Sequence, residues 1–193
     1  YQENVKRLLA YSSVAQIGYM ILGVSLATVT GLTAGMLHLF NHALIKATLF
    51  MAVGAVMYQV GSVRIEAMAG LAKRMPWTMA AFVAGGLSLI GVPLTVGFVS
   101  KWYLVLGAVE QGMWWVALLV LLGSLLAVIY IWKVVEAAYF REFLGDLDVR
   151  EAPLALLIPT WILVAANLYF GIDARMTAGV AQEAARLLLG AGP

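Results

Sequence analysis

Two histidines and a lysine recur at every fourth residue in the apolar stretch HLFNHALIKATLF: His38, His42 and Lys46. Four residues turn a helix by about 400°, so the three side chains share one slowly drifting stripe about 12 Å long. An ionisable group at bilayer depth costs at least about 2.5–3.5 kcal/mol for a lysine on insertion scales, so it is expected to face a bundle interior or a wet cavity. Histidine titrates near neutrality, and a lysine taken out of water can be drawn toward that range. The chemistry this spacing suits is a proton relay. The competing reading is three side chains hydrogen-bonded to neighbouring helices. Asn41 and Thr48 are the polar residues beside them in sequence. A histidine pair at i, i+4 can also hold zinc, but no third histidine or carboxylate ligand lies nearby, so no metal is expected.

A fourth titratable group lies in LSLIGVPLTVGFVSKWYLVLGA, residues 87–108. Pro93 has no N–H to offer, and in a continuous helix its ring would clash with the carbonyl of Leu89. Gly91 and Gly97 flank it and loosen the backbone. The helix is therefore predicted to break near 91–101, and broken helices in a bilayer are tolerated where the freed polar groups meet protein or water. Lys101 follows the proline by about two turns and is placed to hold and release a proton there. The plainer reading is a kink and a snorkelling lysine. Lys133 and Glu136, spaced i, i+3, are read as an interfacial ion pair. The sequence has no phosphate loop, dinucleotide fingerprint or catalytic triad, and it has no cysteine for disulfides or iron–sulfur clusters. No catalytic residue and no cofactor is expected; the chain reads as a transporter subunit rather than a catalyst by itself.

The elements that position these groups follow from composition. Of 193 residues, 63% are hydrophobic and 11% charged, and the mean hydropathy is +0.94. A soluble domain is about 45–50% apolar and about 25% charged, and several apolar runs here exceed the ~20 residues that cross a bilayer. The fold class is all-α, a polytopic transmembrane bundle. Five spans are drawn: Val5–Leu26, Leu32–Val60, Trp77–Ala108, Trp114–Phe140 and Pro153–Phe170. Residues 1–171 form the bundle, and 172–193 form a C-terminal segment whose Asp173–Leu189 reads as an amphipathic interfacial helix. The polar stretch Asp146–Glu151 reads as a surface excursion. The net charge of +2 carries no basic cluster for nucleic acid. Lys6, Arg7, Arg64, Lys73, Arg74, Lys133, Arg141 and Arg150 fall on one side of this topology, against Arg175 and Arg186 on the other. The first side is cytoplasmic by the positive-inside rule, which puts the C-terminus outside. The chain opens on Tyr-Gln-Glu-Asn, with neither an initiator methionine nor a signal peptide, and is read as beginning within a longer protein.

Three stretches in order, VKRLLAYSSVAQIGYMILG (5–23), HLFNHALIKATLF (38–50) and GVPLTVGFVSKWYL (91–104), resemble the proton-conducting membrane transporter family. That family includes the antiporter-like subunits of respiratory complex I and the large subunits of Mrp-type multisubunit cation/proton antiporters. The resemblance covers roughly residues 5–140. It implies about fourteen helices in the whole protein, including two inverted five-helix repeats, each with one discontinuous helix. This chain corresponds to the C-terminal portion: most of the second repeat and the last helix. The resemblance makes His38, His42 and Lys46 part of a hydrophilic axis across the membrane, and Lys101 a protonation site near an exit half-channel. Lys101 followed by Trp102 and Tyr103 departs from two complex I subtypes. That leans the chain toward the Mrp branch, as a large subunit of a Na⁺ or K⁺/proton antiporter. The alternative is a proton-pumping subunit of NADH-quinone oxidoreductase or of a membrane-bound hydrogenase. The implied partners are other subunits of a multisubunit complex, the lipid bilayer, protons and Na⁺ or K⁺. The implied location is a bacterial cell (inner) membrane.

Overall fold

The computed structural model describes residues 2–143 and 149–190. Its helices are α1 (Val5–Ser25), α2 (Val29–Val60), a short α3 (Leu71–Arg74), α4 (Pro76–Ile90), α5 (Val96–Glu110), α6 (Trp114–Phe140), α7 (Leu154–Ile172) and α8 (Arg175–Leu188). Asn4 accepts from the Arg7 amide at 3.0 Å to start α1. Thr28 starts α2 by accepting from Gly31 at 3.0 Å, and Pro76 occupies the first turn of α4, where its missing N–H costs nothing.

Helices α1, α2, α6 and α7 are each long and apolar enough to cross a membrane. Helices α4 and α5 have 15 residues each, about 22 Å at 1.5 Å per residue, so neither alone spans a hydrocarbon core of about 30 Å. The third predicted span is thus two half-helices joined by residues 91–95. The break is shorter than predicted: Gly97 lies inside α5, not in the connection.

Helix α2 is central and packs against α1, α4, α5, α7 and α8. Its C-terminal half forms the main core, where Ile45, Leu49, Val53 and Val56 meet Leu9, Met79, Phe82 and Leu89. Helix α6 presents Leu118, Leu121, Leu122, Leu125 and Ile129 outward, as a lipid-facing surface does. The chain N-terminal to α1 lies antiparallel to the α2–α3 connection, with Val5 N–H donating to Val63 at 2.9 Å and Ile65 N–H to Glu3 at 2.8 Å. Two segments assigned above to the positive side are thereby brought together.

Two expectations are corrected. Within the stretch Asp146–Glu151, residues 146–148 lie outside the described residues, and the remainder is not an excursion. Val149 and Ala152 are buried, and the Glu151 carboxylate accepts from the amide of Trp77 at 2.7 Å and the hydroxyl of Thr78 at 2.6 Å. A carboxylate at the start of α4 satisfies free N–H groups and matches the helix dipole. The carboxylate of Glu136 pairs with Arg141 at 2.7 Å, not with Lys133. The guanidinium beyond the helix end folds back and engages both carboxylate oxygens, which an ammonium on the same helix cannot match.

The amphipathic segment is a helix, and it is not separate from the bundle. Ala178, Ala181 and Leu37 form one buried cluster, with Val99 and Tyr103 of α5 against it. Just before α8, Arg175 donates to Asp173 at 2.6 Å, and these guanidinium bonds hold the Asp173 carboxyl down at about 2.

Candidate functional site: a buried polar axis at a helix break

Each member of the stripe on α2 has a different environment. His38 is 2% exposed. Its Nδ1 lies 2.9 Å from Ser100 Oγ on α5, and its Nε2 3.0 Å from Gln16 Oε1 on α1. An amide oxygen only accepts, so Nε2 carries the proton toward Gln16 and Nδ1 accepts the Ser100 hydroxyl. His42 is half-buried. Its ring stacks on His38 at 6.3 Å between centroids, and its buried Nε2 has no hydrogen-bond partner among the described residues. Lys46, 7% exposed, donates to the Leu9 carbonyl at 2.6 Å and to the Ser12 hydroxyl, both on α1. Ser12 in turn donates to Leu9 O at 2.8 Å.

The break between α4 and α5 can be accounted for carbonyl by carbonyl. A helix end leaves four carbonyls without an intrahelical donor; here they are Leu87, Ser88, Leu89 and Ile90. Gly91 takes a left-handed φ of 92°, open to glycine at no steric cost. That turn lets the Val92 amide reach Leu87 O at 3.1 Å and the Gly91 amide reach Ser88 O at 3.1 Å, the pairing of a Schellman cap. The remaining two carbonyls are taken by Lys101. Its ammonium donates to Leu89 O at 3.0 Å and Ile90 O at 2.8 Å, and to Ser124 Oγ of α6 at 2.9 Å. A cation here also sits at the negative end of the α4 dipole.

Lys101 itself is 7% exposed, so it is not snorkelling to an interface. The Tyr19 ring lies 5.5 Å from its nitrogen and edge-on to His38, also at 5.5 Å. Gly97 is where α5 passes the last turn of α4: a β-carbon there would overlap the Ser88 carbonyl. Asn41 of α2 fixes the start of α5 by donating to Val96 O at 2.7 Å.

Three of the four predicted relay residues, His38, Lys46 and Lys101, are therefore buried, and His42 is half-buried between the first two. His38 reaches Ser100, the neighbour of Lys101 in sequence. Lys133 lines a groove wall, apart from them. Two grooves on either side of α6 reach this assembly. One, of about 610 Å³ between α1 and α6, is lined by Ser12, Gln16, Tyr19, Tyr130 and Lys133. The other, of about 510 Å³ between α5 and α6, reaches Gly91, Lys101 and Ser124.

Sequence reasoning missed Ser12, Gln16, Tyr19, Ser100 and Ser124, all of which surround the four titratable groups. A signal existed for two of them: Ser12 and Gln16 stand i, i+4 in an otherwise apolar span, the same spacing as the stripe they face.

This arrangement, a discontinuous helix whose freed carbonyls hold an intramembrane lysine beside a histidine–lysine stripe, is that of an ion-translocating membrane subunit. The chain belongs to the family described as NADH:quinone oxidoreductase/Mrp antiporter, transmembrane, whose profile matches residues 1–127. It is 47% identical over 140 residues to the NADH-quinone oxidoreductase subunit N of Desulforudis audaxviator, covering 72% of this chain and 28% of that protein. Among solved structures it resembles a chain of the archaeal membrane-bound sulfane sulfur reductase, with a TM-score of 0.87 and 34% identity over 97% of this chain and 38% of the other. It also resembles a chain of the Mrp complex from a Dietzia species, with a TM-score of 0.85 and 28% identity over 94% of this chain and 42% of the other. The chain spans well under half the length of these relatives.

Proposed function

We propose that this chain is the proton-carrying C-terminal portion of an antiporter-like subunit in a multisubunit membrane complex. The observation that supports this best is the capture of Lys101 by the last carbonyls of α4. Protonated, the amine has three donors for three acceptors, Leu89 O, Ile90 O and Ser124 Oγ. Deprotonated, it is one donor short, and a freed carbonyl in a dry site is costly. The charge on Lys101 and the closure of the break are thereby coupled. Protons pass between Lys101 and Lys46 along Ser100, His38, Gln16 and His42, with His42 Nε2 as the position open to water.

The positive end of the bundle is cytoplasmic and the C-terminus outside, on the charge count given above. Helix α8 lies in the outer interface, with Met176, Val180 and Leu187 turned to lipid.

Among the family's branches, the identity to an NADH-quinone oxidoreductase subunit favours a complex in which redox chemistry drives pumping, with this chain as a non-redox subunit. The likeness to the Mrp complex supports a second reading, exchange of Na⁺ or K⁺ for protons. Inverted vesicles carrying the full-length parent protein and its partner subunits separate the two. Acidification driven by a respiratory substrate and lost in Lys101→Ala supports the first. Collapse of a preformed proton gradient on adding Na⁺ or K⁺, lost in the same variant, supports the second. If Lys101→Ala leaves both intact, Lys101 is not in the proton path.

A further inference from the structure

A second buried polar cluster lies off the axis. Asn167 of α7 is 3% exposed. Its Oδ1 accepts from Ser88 Oγ of α4 at 3.0 Å. Its Nδ2 donates to Thr48 Oγ1 of α2 at 3.0 Å and to Leu163 O of its own helix at 2.9 Å. Thr48 Oγ1 passes its proton to Leu44 O at 2.9 Å. Ser88 and Thr48 are wholly buried. An apolar side chain would fill the same space on a membrane helix without desolvating an amide, so the interest lies in what the amide holds.

It holds one particular turn. Ser88 directly precedes Leu89 and Ile90, the two residues whose carbonyls receive Lys101. The Ser88 carbonyl is itself fixed from two sides, accepting from the Gly91 amide at 3.1 Å and abutting Gly97. With Asn41 holding the start of α5, each half of the broken helix is tied at the break to a neighbouring helix by one amide side chain.

We propose that Asn167 is a positioning residue for the proton site: through Ser88 it fixes the last turn of α4, and so sets the Leu89 and Ile90 carbonyls at hydrogen-bonding distance from the Lys101 ammonium. It touches neither Lys101 nor the axis. The inference rests on Lys101 being the proton carrier. It predicts that α7, which contributes no group to the relay, controls transport. A transferred proton needs its acceptors preorganised to within a few tenths of an ångström, and a turn free to drift loses that.

The test uses the full-length parent protein in its assembled complex, labelled with ¹⁵N-lysine. Solid-state NMR reads each lysine Nζ signal, and the Lys101 signal is assigned by its loss in Lys101→Ala. In Asn167→Leu and in Ser88→Ala, the Lys101 signal moves, the Lys46 signal stays, and proton transport falls about tenfold, the cost of one buried hydrogen bond at the site. Thr160 is a control: it is equally buried on α7 but bonds only its own helix, at Leu156 O, 2.7 Å, and Thr160→Val leaves signal and rate in place.

An unmoved Lys101 signal in assembled variants would reduce Asn167 to helix packing, and so would wild-type transport. If Asn167→Leu does not assemble, Ser88→Ala, which removes one oxygen, decides alone. Wild-type transport in Lys101→Ala with a shifted Lys101 signal in Asn167→Leu would overturn the proton-carrier reading while the positioning stands.

Discussion

The Lys101 ammonium lies 2.8 Å from the carbonyl oxygen of Ile90, eleven residues earlier and on the other side of a break in the helix. One bond thus ties the C-terminal end of one half-helix to the second turn of the next. With its companions at Leu89 and Ser124, it makes the titrating group of the site also the clasp of the break. Hydrogen bonds to a charged group contribute about 1.5–3 kcal/mol each, enough for the loss of one proton to alter how the two halves sit.

Gly97→Ala is expected to destabilise the protein by about 1–3 kcal/mol, the usual cost of forcing an extra methyl into a packed site. The new β-carbon would overlap the Ser88 carbonyl, which is backbone and cannot rotate away. Thermal unfolding of the solubilised protein checks this; an unchanged midpoint would mean that α4 and α5 do not approach each other this closely.

Leu94→Gly works in the opposite direction. Leu94 sits in the break with a φ of 73°, a left-handed conformation that costs an L-residue about 1–2 kcal/mol. The side chain is largely exposed, so little packing is lost. A gain of about 1 kcal/mol, the lower end of that cost, is expected in the same unfolding measurement. A loss would show that the leucine packs on something that holds the break in shape.

Gln16→Leu leaves His38 Nε2 without its acceptor in a buried site, at a cost of about 1–3 kcal/mol. Proton transport should fall while the complex still assembles. Transport at the normal rate would remove α1 from the path and leave His38 bonded through Ser100 alone.

Glu136→Gln should leave the unfolding midpoint of the solubilised protein where it is, because both partners of the Glu136–Arg141 pair reach solvent and such pairs contribute little. A clear drop in the midpoint of the assembled complex would give this pair a role at a subunit contact.

How far the sequence revealed this arrangement depended on contrast. His38, His42, Lys46 and Lys101 stand out because an apolar span offers nothing else ionisable, and Pro93 marks the break because its ring forbids a continuous helix. Both signals are local. The partners are not: Ser100 and Gln16 meet His38 from 62 and 22 residues away, and a serine in a membrane helix is usually satisfied by its own backbone, so nothing distinguishes one that is not. Gly97 reads in the sequence as loosening the backbone, whereas it permits a close crossing that only the packed structure reveals. Asn167 is a lone amide in the fifth span, and its meaning comes from Ser88 and Thr48, 79 and 119 residues away. Spacing misassigns the partner of Glu136 because the i, i+3 rule considers only residues on the helix, while Arg141 reaches back from beyond its end.

The central claim is that Lys101 carries a proton, beyond closing the break. Lys101→Arg separates the two roles, because a guanidinium keeps a positive charge for the carbonyls of Leu89 and Ile90 but does not give up a proton in a protein. The measurement is proton translocation by the full-length protein in its assembled complex, in inverted vesicles, with assembly verified on the same preparation. The account predicts an assembled complex in which proton movement through this subunit is abolished. Wild-type translocation in Lys101→Arg would contradict it and leave Lys101 a structural cation.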